Sequence, residues 1–308
     1  MSYQLLLGDN RQVLQTLPDQ SVHCIVTSPP YFGLRDYGVD GQIGMEETPE
    51  NFVAELVRVF RECWRVLRDD GTLWLNLGDS FLNKQILGIP WRVAFALQDA
   101  GWILRSDIVW SKPNPMPESV TDRPTRAHEY IFLLTKSGRY YYDADAIKEP
   151  SVYPDDNRKA RSKPDQKRMP TEQIAGVRPG SATYTTRNKR SVWTVPSAPY
   201  KDAHFATFPP ALIEPCVLAG CPVGGKVLDP FNGSGTTGAV ACTHGRNYIG
   251  IELNPDYIEI SHARIAAAIN SSGIDRIASV GKQSDYADTP LFQELKAHVA
   301  TVALKTGA

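Results

Sequence analysis

The feature that most constrains this chain is an alternation of short apolar runs with stretches whose apolar residues recur at helical spacing. Such alternation is typical of a sheet of parallel strands covered by helices, so it predicts an α/β fold. The pattern predicts strands at Tyr3–Leu7, Val22–Thr27, Gly71–Leu77, Trp102–Trp110, Glu129–Thr135, Lys226–Asp229 and Tyr248–Glu252. It predicts helices starting at Thr48-Pro49, and at Gly88–Ala100, Pro209–Ala219, Thr236–His244 and Pro255–Ile269.

Composition narrows the class of protein. The chain has 308 residues, 42% of them hydrophobic and 22% charged, which is ordinary for a globular protein. None of the five cysteines forms a Cys-x-x-Cys pair, so we expect no metal site and no disulfide framework, and a reducing cytoplasm fits best. The start lacks the pattern of a signal peptide, and no apolar run is long enough to span a membrane.

A glycine-rich turn follows the predicted strand that ends at Asp229. Glycines between a strand and a helix let a ligand approach the backbone, and the helix start offers free N–H groups. No Gly-Lys-Ser/Thr sequence follows, which disfavours a phosphate loop. Glu252 ends the next strand 23 positions later, where an acid can accept hydrogen bonds from ribose hydroxyls. The alternatives are a turn that only connects and a solvated glutamate. The turn consists of Asp229, Pro230, Phe231, Asn232, Gly233, Ser234, Gly235 and Thr236.

A proline pair follows the buried strand at Val22–Thr27, in the sequence Ser28-Pro29-Pro30-Tyr31. Two prolines fix the backbone and remove two N–H donors, which leaves carbonyl oxygens free to face a ligand. An amino group on a planar ring can be held by acceptors for its hydrogens and by an aromatic face against the ring. We expect the Ser28 hydroxyl and the Pro29 carbonyl to be those acceptors, and Tyr31 to be the stacking face. The alternative is a rigid turn with a surface tyrosine.

Together the two segments resemble the amino-methyltransferases of DNA. Ser28-Pro29-Pro30-Tyr31 looks like the catalytic motif of that family, and Asp229–Thr236 looks like its loop for S-adenosyl-L-methionine. The catalytic motif comes first here, which is similar to the β group. The resemblance therefore implies an α/β fold with a circularly permuted, Rossmann-like sheet and an inserted target-recognition region. It implies a catalytic half at 1–136, the insertion at 137–199, a cofactor half at 200–270 and a C-terminal extension at 271–308.

The resemblance extends to further residues. Asp9, after Gly8, sits where the family places a loop that contacts the adenine of the cofactor. The segment from 204 to 209 looks like the motif that packs against the methionine moiety, through His204, Phe205, Ala206 and Phe208. Leu77-Gly78-Asp79-Ser80 and His128-Glu129-Tyr130 resemble segments that flank the pocket. Asp79 either lines the pocket or caps the following turn. Serine before the proline pair resembles the cytosine-N4 subgroup.

The stretch between the two halves is polar and has no clean periodicity. Between Asn157 and Arg190 ten basic residues face two acidic ones, a balance of +8 within a chain of net charge −1. A basic segment on a weakly acidic body fits phosphate binding, and the resemblance implies that it recognises the target sequence. The alternative is a solvated loop. The ten are Arg158, Lys159, Arg161, Lys163, Lys167, Arg168, Arg178, Arg187, Lys189 and Arg190.

The reaction expected is methyl transfer from S-adenosyl-L-methionine to the N4 amino group of a cytosine flipped out of duplex DNA. Pro215-Cys216 is similar to the nucleophile of cytosine-C5 enzymes, but it lies in a predicted apolar helix and indicates a buried thiol. Three alternatives remain: adenine-N6 methylation, an RNA or protein substrate, and a catalytically silent DNA-binding module. Besides duplex DNA, the resemblance allows a second copy of the chain and a cognate restriction endonuclease as partners.

Overall fold

A computed structural model describes residues 1–36, 38–151, 185–197 and 208–271 of the chain. Several residues singled out above lie outside these ranges. They are His204, Phe205 and Ala206, the basic residues from Arg158 to Arg178, and the extension beyond Ser271.

Within the described residues, eight strands form one mixed sheet with helices on both faces, a Rossmann-like architecture. The strands are β1 (Tyr3–Leu7), β2 (Val22–Thr27), β3 (Leu67–Leu77), β6 (Ile103–Ser111), β7 (His128–Thr135), β10 (Val192–Thr194), β11 (Lys226–Asp229) and β12 (Asn247–Glu252). Across the sheet the order is β1-β12-β11-β2-β3-β7-β6-β10. Two small pairs join β4 (Phe81–Leu82) to β5 (Gln85–Ile86) and β8 (Glu149–Pro150) to β9 (Thr186–Arg187).

The sheet departs from the all-parallel arrangement that the alternation predicts. β7 runs antiparallel to both of its neighbours, β3 and β6, whereas the other pairs in the sheet are parallel. β6 and β7 are joined by residues 112–127, which contain no helix. Antiparallel neighbours need no crossover helix, so the missing helix between these two strands accounts for the reversal.

The described ranges contain six α-helices that cover the sheet: α1 (Asn10–Val13), α2 (Pro49–Val66), α3 (Ile89–Asp99), α4 (Pro210–Gly220), α5 (Thr236–Thr243) and α6 (Pro255–Ser271). One core packs α2 and α3 against one face of the strands, through side chains such as Phe52, Leu75 and Val93. A second core packs α4 to α6 against the other face, through residues such as Trp74 and Val217. The predicted start of α2 is confirmed: Pro49 opens the helix, and the Thr48 hydroxyl accepts a 3.2 Å hydrogen bond from the Asn51 N–H.

One strand of the sheet escapes the sequence pattern. β10 has three residues, and it lies within the stretch where no periodicity is visible, because a strand this short gives no period. Trp193 at its centre is buried, and its indole N–H donates to the Arg190 carbonyl at 2.6 Å. Ile147 is buried in the same core. Parts of the proposed insertion therefore belong to the main body of the protein, which is the eight-stranded sheet with its two cores.

Strand direction determines where loops meet. Since β7 is antiparallel to both neighbours, β6 runs parallel to β3, and the carboxyl ends of β1, β12, β11, β2, β3, β6 and β10 share one edge of the sheet. The amino end of β7 lies at the same edge. In open α/β sheets, ligands bind outside this edge. Within the described ranges, no helix is long and apolar enough to cross a membrane.

Candidate active site

A cavity of about 830 Å³ opens at the carboxyl edge of the sheet. Its size is within the usual range for sites of small molecules and cofactors. Its walls come from the loops that follow the strands and from the start of β7. The sequence-predicted residues that line it are Asp9, Ser28, Pro29, Pro30, Tyr31, Phe208, Asp229, Pro230, Phe231, Asn232, Gly233, Ser234, Thr236 and Glu252. Gly235 is not among the lining residues, although its neighbours are.

Asp229, at the end of β11, fixes the glycine-rich loop. Its carboxylate accepts hydrogen bonds from the Thr27 hydroxyl at 2.6 Å, the Thr237 hydroxyl at 2.7 Å and the Phe231 N–H at 3.0 Å. Burial raises the pKa of this carboxyl to about 6, and the three donors only partly oppose the shift. Asp229 therefore ties β2, the loop and the start of α5 together beneath the cavity.

The loop itself turns on two glycines. Gly233 has φ of 51° and Gly235 has φ of 78°, a left-handed region that glycine enters without steric cost. The Asn232 N–H donates to the Ile251 carbonyl at 2.9 Å, which pins the loop to β12. The turn thus carries the chain directly from β11 into α5 along the wall of the cavity.

Glu252 ends β12 at the cavity wall. One carboxylate oxygen accepts from the Gly233 N–H at 2.7 Å and the other from the Asn254 N–H at 2.9 Å. Burial raises the pKa of this carboxyl, while the backbone donors oppose the rise. A carboxylate has about four acceptor positions, so the backbone donors leave capacity for a hydroxyl group of a ligand.

A buried hydroxyl gives an independent test of whether a cofactor fits here. The Oγ1 of Thr236 is buried at the cavity and has no hydrogen-bond partner within the described part of the chain. Buried polar groups are nearly always paired, so this atom indicates a missing polar partner. The hydroxyl lies at the start of α5, next to the glycine turn, and Glu252 lines the same cavity. Donors, an acid and an open backbone at this wall fit a nucleoside-bearing cofactor.

Tyr31 also lines the cavity, directly after the proline pair. Its hydroxyl donates a 2.6 Å hydrogen bond to the Glu129 carboxylate. Its ring packs against the backbone of Gly78, where an added Cβ atom would lie 2.5 Å from a ring carbon. Ser28, Pro29 and Pro30 line the cavity beside it.

Glu129 gathers three donors around the tyrosine hydroxyl. Besides Tyr31, the Asn76 amide donates to it at 3.2 Å, and the Lys112 ammonium forms an ion pair with it. The Lys112 nitrogen also lies 4.2 Å from the centre of the Trp110 ring. These side chains form a fixed polar cluster at the cavity. Sequence reasoning missed Asn76, Trp110 and Lys112, although each stands at the carboxyl end of a strand and that position was the available signal.

Asp79 and Cys216, for which the sequence allowed either a functional or a structural role, have structural roles. One oxygen of Asp79 accepts from the Ser80 N–H at 3.0 Å and from the Ile89 N–H at 2.9 Å. Asp79 therefore caps the start of α3, and it is not among the cavity residues. Cys216 is fully buried in α4, and burial raises the pKa of its thiol, as expected of a structural cysteine.

The three described members of the basic group lie outside the cavity. Arg187 and Arg190 both donate to Glu149, at 2.8 Å and 2.6 Å, and the Lys189 nitrogen lies 5.1 Å from the Trp193 ring. Across the described residues, no cluster of three His, Cys, Asp or Glu side chains could hold a metal ion.

The sheet is Rossmann-like and permuted. The glycine turn, the acid on the next strand and the proline pair all line one cavity at the carboxyl edge of the sheet. This combination is that of a methyltransferase that uses S-adenosyl-L-methionine. A family model described as DNA methylase matches residues 22–263. The chain belongs to this family, the N6/N4 DNA methyltransferases, and within it to the β group of amino-methyltransferases.

Relatives and solved structures agree with this placement. The chain is 46% identical to the Type II methyltransferase M.Cfr9I of Citrobacter freundii, over 89% of this chain and 91% of that one. It is 45% identical to M.SmaI of Serratia marcescens, over 86% and 91%. A protein of Thermus thermophilus, described as a DNA modification methylase and solved with S-adenosyl-L-methionine, is 28% identical with a TM-score of 0.60, over 90% and 99%. The cytosine-N4-specific PvuII DNA methyltransferase shares the fold, with a TM-score of 0.64 at 19% identity over 88% and 93%.

Proposed function

We propose that this DNA methyltransferase transfers the methyl group to the N4 amino group of a cytosine flipped out of duplex DNA. The observation that carries the proposal is the position of Ser28: it lines the cavity directly before the proline pair and Tyr31. Serine at this position resembles the cytosine-N4 subgroup. The fold shared with the cytosine-N4-specific PvuII enzyme is compatible with the proposal.

In the proposed reaction, Tyr31 stacks on the flipped base, and its hydrogen bond to Glu129 keeps the ring in place. The Ser28 hydroxyl and the Pro29 carbonyl accept the two amino hydrogens and orient the nitrogen lone pair. S-adenosyl-L-methionine supplies an electrophilic methyl group. The alkylated nitrogen is acidic and loses its extra proton to water, so the site needs no strong base. Positioning, together with acceptors aligned with the developing positive charge, provides the rate increase.

The remaining assignments belong to the same proposal. The cofactor is held by Asp9, Phe208, the loop from Asp229 to Thr236 and Glu252, together with residues 204–206. The basic residues between 157 and 190 contact DNA, and residues 137–199 contain the target-recognition region. A homodimer and a cognate restriction endonuclease are the proposed further partners. The proposed location is the cytoplasm, where the five cysteines, all buried and free in the structure, would stay reduced.

The test is to express the chain in a host that lacks DNA methylation, digest the host DNA to nucleosides and analyse them by mass spectrometry. N4-methylcytosine is expected, and a Tyr31→Ala variant should methylate much less of the DNA. N6-methyladenine would overturn the choice of base and keep the acceptors and stacking face. If purified protein binds the cofactor but marks neither base, the proposed reaction on DNA fails.

A further inference from the structure

The loop of residues 112–127, between β6 and β7, exposes an unusual side chain. Met116 is 86% exposed, the largest value among the large hydrophobic side chains of the described residues. It also lines the cavity that contains Ser28 and Tyr31. An apolar side chain is therefore held in water at the mouth of the active site, where burying it would be favourable.

The loop is braced rather than loose. The Ser197 N–H donates to the Asn114 side-chain oxygen at 3.0 Å, and the Asn114 amide donates to the Ser197 carbonyl at 3.1 Å. Farther along, Glu118 accepts a 2.7 Å hydrogen bond from Arg123. Prolines at 115 and 117 flank Met116 and fix the backbone on both sides. The methionine thus projects from a rigid support.

A second contact braces the far end of the loop. The Arg123 guanidinium lies 4.2 Å from the centre of the Phe81 ring, on the small β4–β5 hairpin. The root of the loop closes where the Lys112 N–H donates to the Ala127 carbonyl at 2.8 Å. The loop is therefore held at its root and at its far end, and the hairpin that holds the far end follows Gly78, on which the Tyr31 ring packs.

A base that leaves the stack breaks its pairing and stacking contacts and leaves a gap in the duplex. Proteins that unstack DNA commonly insert Phe, Leu, Ile, Met or Pro into such spaces. We propose that Met116 enters the duplex in the space vacated by the flipped target base. The proposal rests on the proposed function only in requiring that the target is a base in duplex DNA. Insertion buries the exposed side chain and lowers the free energy of the flipped state.

The test compares two duplexes that contain the site mapped from methylated host DNA. In one the target base is paired, and in the other it is mismatched, which lowers the cost of flipping. Met116→Ala should lower kcat/KM about 10- to 50-fold on the paired duplex, and by no more than about threefold on the mismatched one. Met116→Leu should stay close to the unmodified protein on both. Val223→Ala, a change at a 76% exposed apolar residue outside the cavity lining, is the matched control.

A second readout is direct. When 2-aminopurine replaces the target base, binding of the unmodified protein should raise the fluorescence of the 2-aminopurine. The rise should be smaller with Met116→Ala. An equal loss of kcat/KM on both duplexes would show that Met116 acts in a step other than base flipping and would overturn the proposal, as would no loss on the paired duplex. The identity of the methylated base tests the proposed function separately. The Met116 test does not depend on that identity, because the mismatch is placed at whichever base carries the methyl group.

Discussion

At the scale of single residues, the Tyr31 ring is held by its hydroxyl, through the 2.6 Å hydrogen bond to Glu129, as well as by packing. Tyr31→Phe keeps the ring and removes this charge-assisted bond, so we expect kcat/KM to fall about tenfold. Tyr31→Ala also removes stacking on the base, and the loss should reach about 100-fold or more. Steady-state kinetics on a duplex that contains the mapped methylation site measure kcat/KM for both variants. Cofactor affinity is the control and should be unchanged. Equal losses for the two variants would show that the ring contributes nothing beyond the hydroxyl.

Asp229 should make stability depend on pH. Its folded pKa of about 6 exceeds the ordinary 3.8, so between these values the folded state binds the extra proton. The stabilisation is therefore complete below about pH 4 and is lost as pH rises through 6, by up to about 3 kcal/mol. Asp229→Asn removes the titration, and the Thr237 hydroxyl can instead accept from the new amide.

Urea unfolding at pH 4.5 and pH 7.5 measures the effect of Asp229. The free energy of unfolding should fall more for the unmodified protein than for Asp229→Asn over this interval, after the shared titrations are subtracted. If the two proteins change in parallel, burial does not raise the pKa of Asp229.

The residues that the sequence could predict are those that are contiguous. Ser28–Tyr31 and Asp229–Thr236 each carry their pattern within one turn, and residues of both segments line the cavity. Asn76 and Lys112 have only their position at the end of a strand as a signal, and this signal is weak because an asparagine or a lysine is ordinary there. They acquire meaning only through Glu129, which joins them across two strand pairings that no short motif encodes.

At the scale of elements, the end of β3 is shaped to seat the catalytic segment. Gly78 lacks a side chain where the Tyr31 ring packs, and a Cβ atom there would lie 2.5 Å from the ring. Gly78→Ala should therefore displace the ring and lower kcat/KM about tenfold or more, while cofactor affinity is unchanged because none of the proposed cofactor residues is among the atoms that the added Cβ atom meets. Gly138→Ala is the matched control, since nothing lies within 4 Å of an added Cβ atom there. Methylation kinetics and cofactor titration together check this, and normal activity in Gly78→Ala would contradict it.

Strands and helices could be predicted wherever the regular spacing of apolar residues continued over enough of the sequence. The central strands and the long helices satisfy this condition. β3 begins at Leu67, four residues earlier than its apolar run, because the exposed Asp69 and Asp70 interrupt the pattern. The direction of β7 depends on what joins it to β6, which periodicity does not report. β10 is visible only once Trp193 is seen buried in the core.

At the scale of the whole molecule, the described residues that precede and follow the segment with most of the basic residues are hydrogen-bonded to each other. The Ser151 N–H donates to the Thr185 carbonyl at 2.9 Å, and β8 pairs with β9 immediately outside this bond. Residues 152–184 can therefore be replaced by a two-residue Asn-Gly turn without stretching the backbone. The main body keeps Ile147, Trp193 and β10, which pack in its core.

We expect this shortened chain to fold, with Tm within a few degrees of the parent and cofactor affinity within about threefold. It should lose site-specific DNA binding, and the logarithm of its residual affinity should depend less steeply on salt, by about 0.9 for each phosphate contact removed. Calorimetry, cofactor titration and DNA binding at several salt concentrations measure these effects. Excision of the whole span 137–199 is the contrasting variant: it removes Trp193 and β10, so it should fail to fold. Undiminished site-specific binding by the shortened chain would place sequence recognition elsewhere, because the seven basic residues between 158 and 178 would then be dispensable.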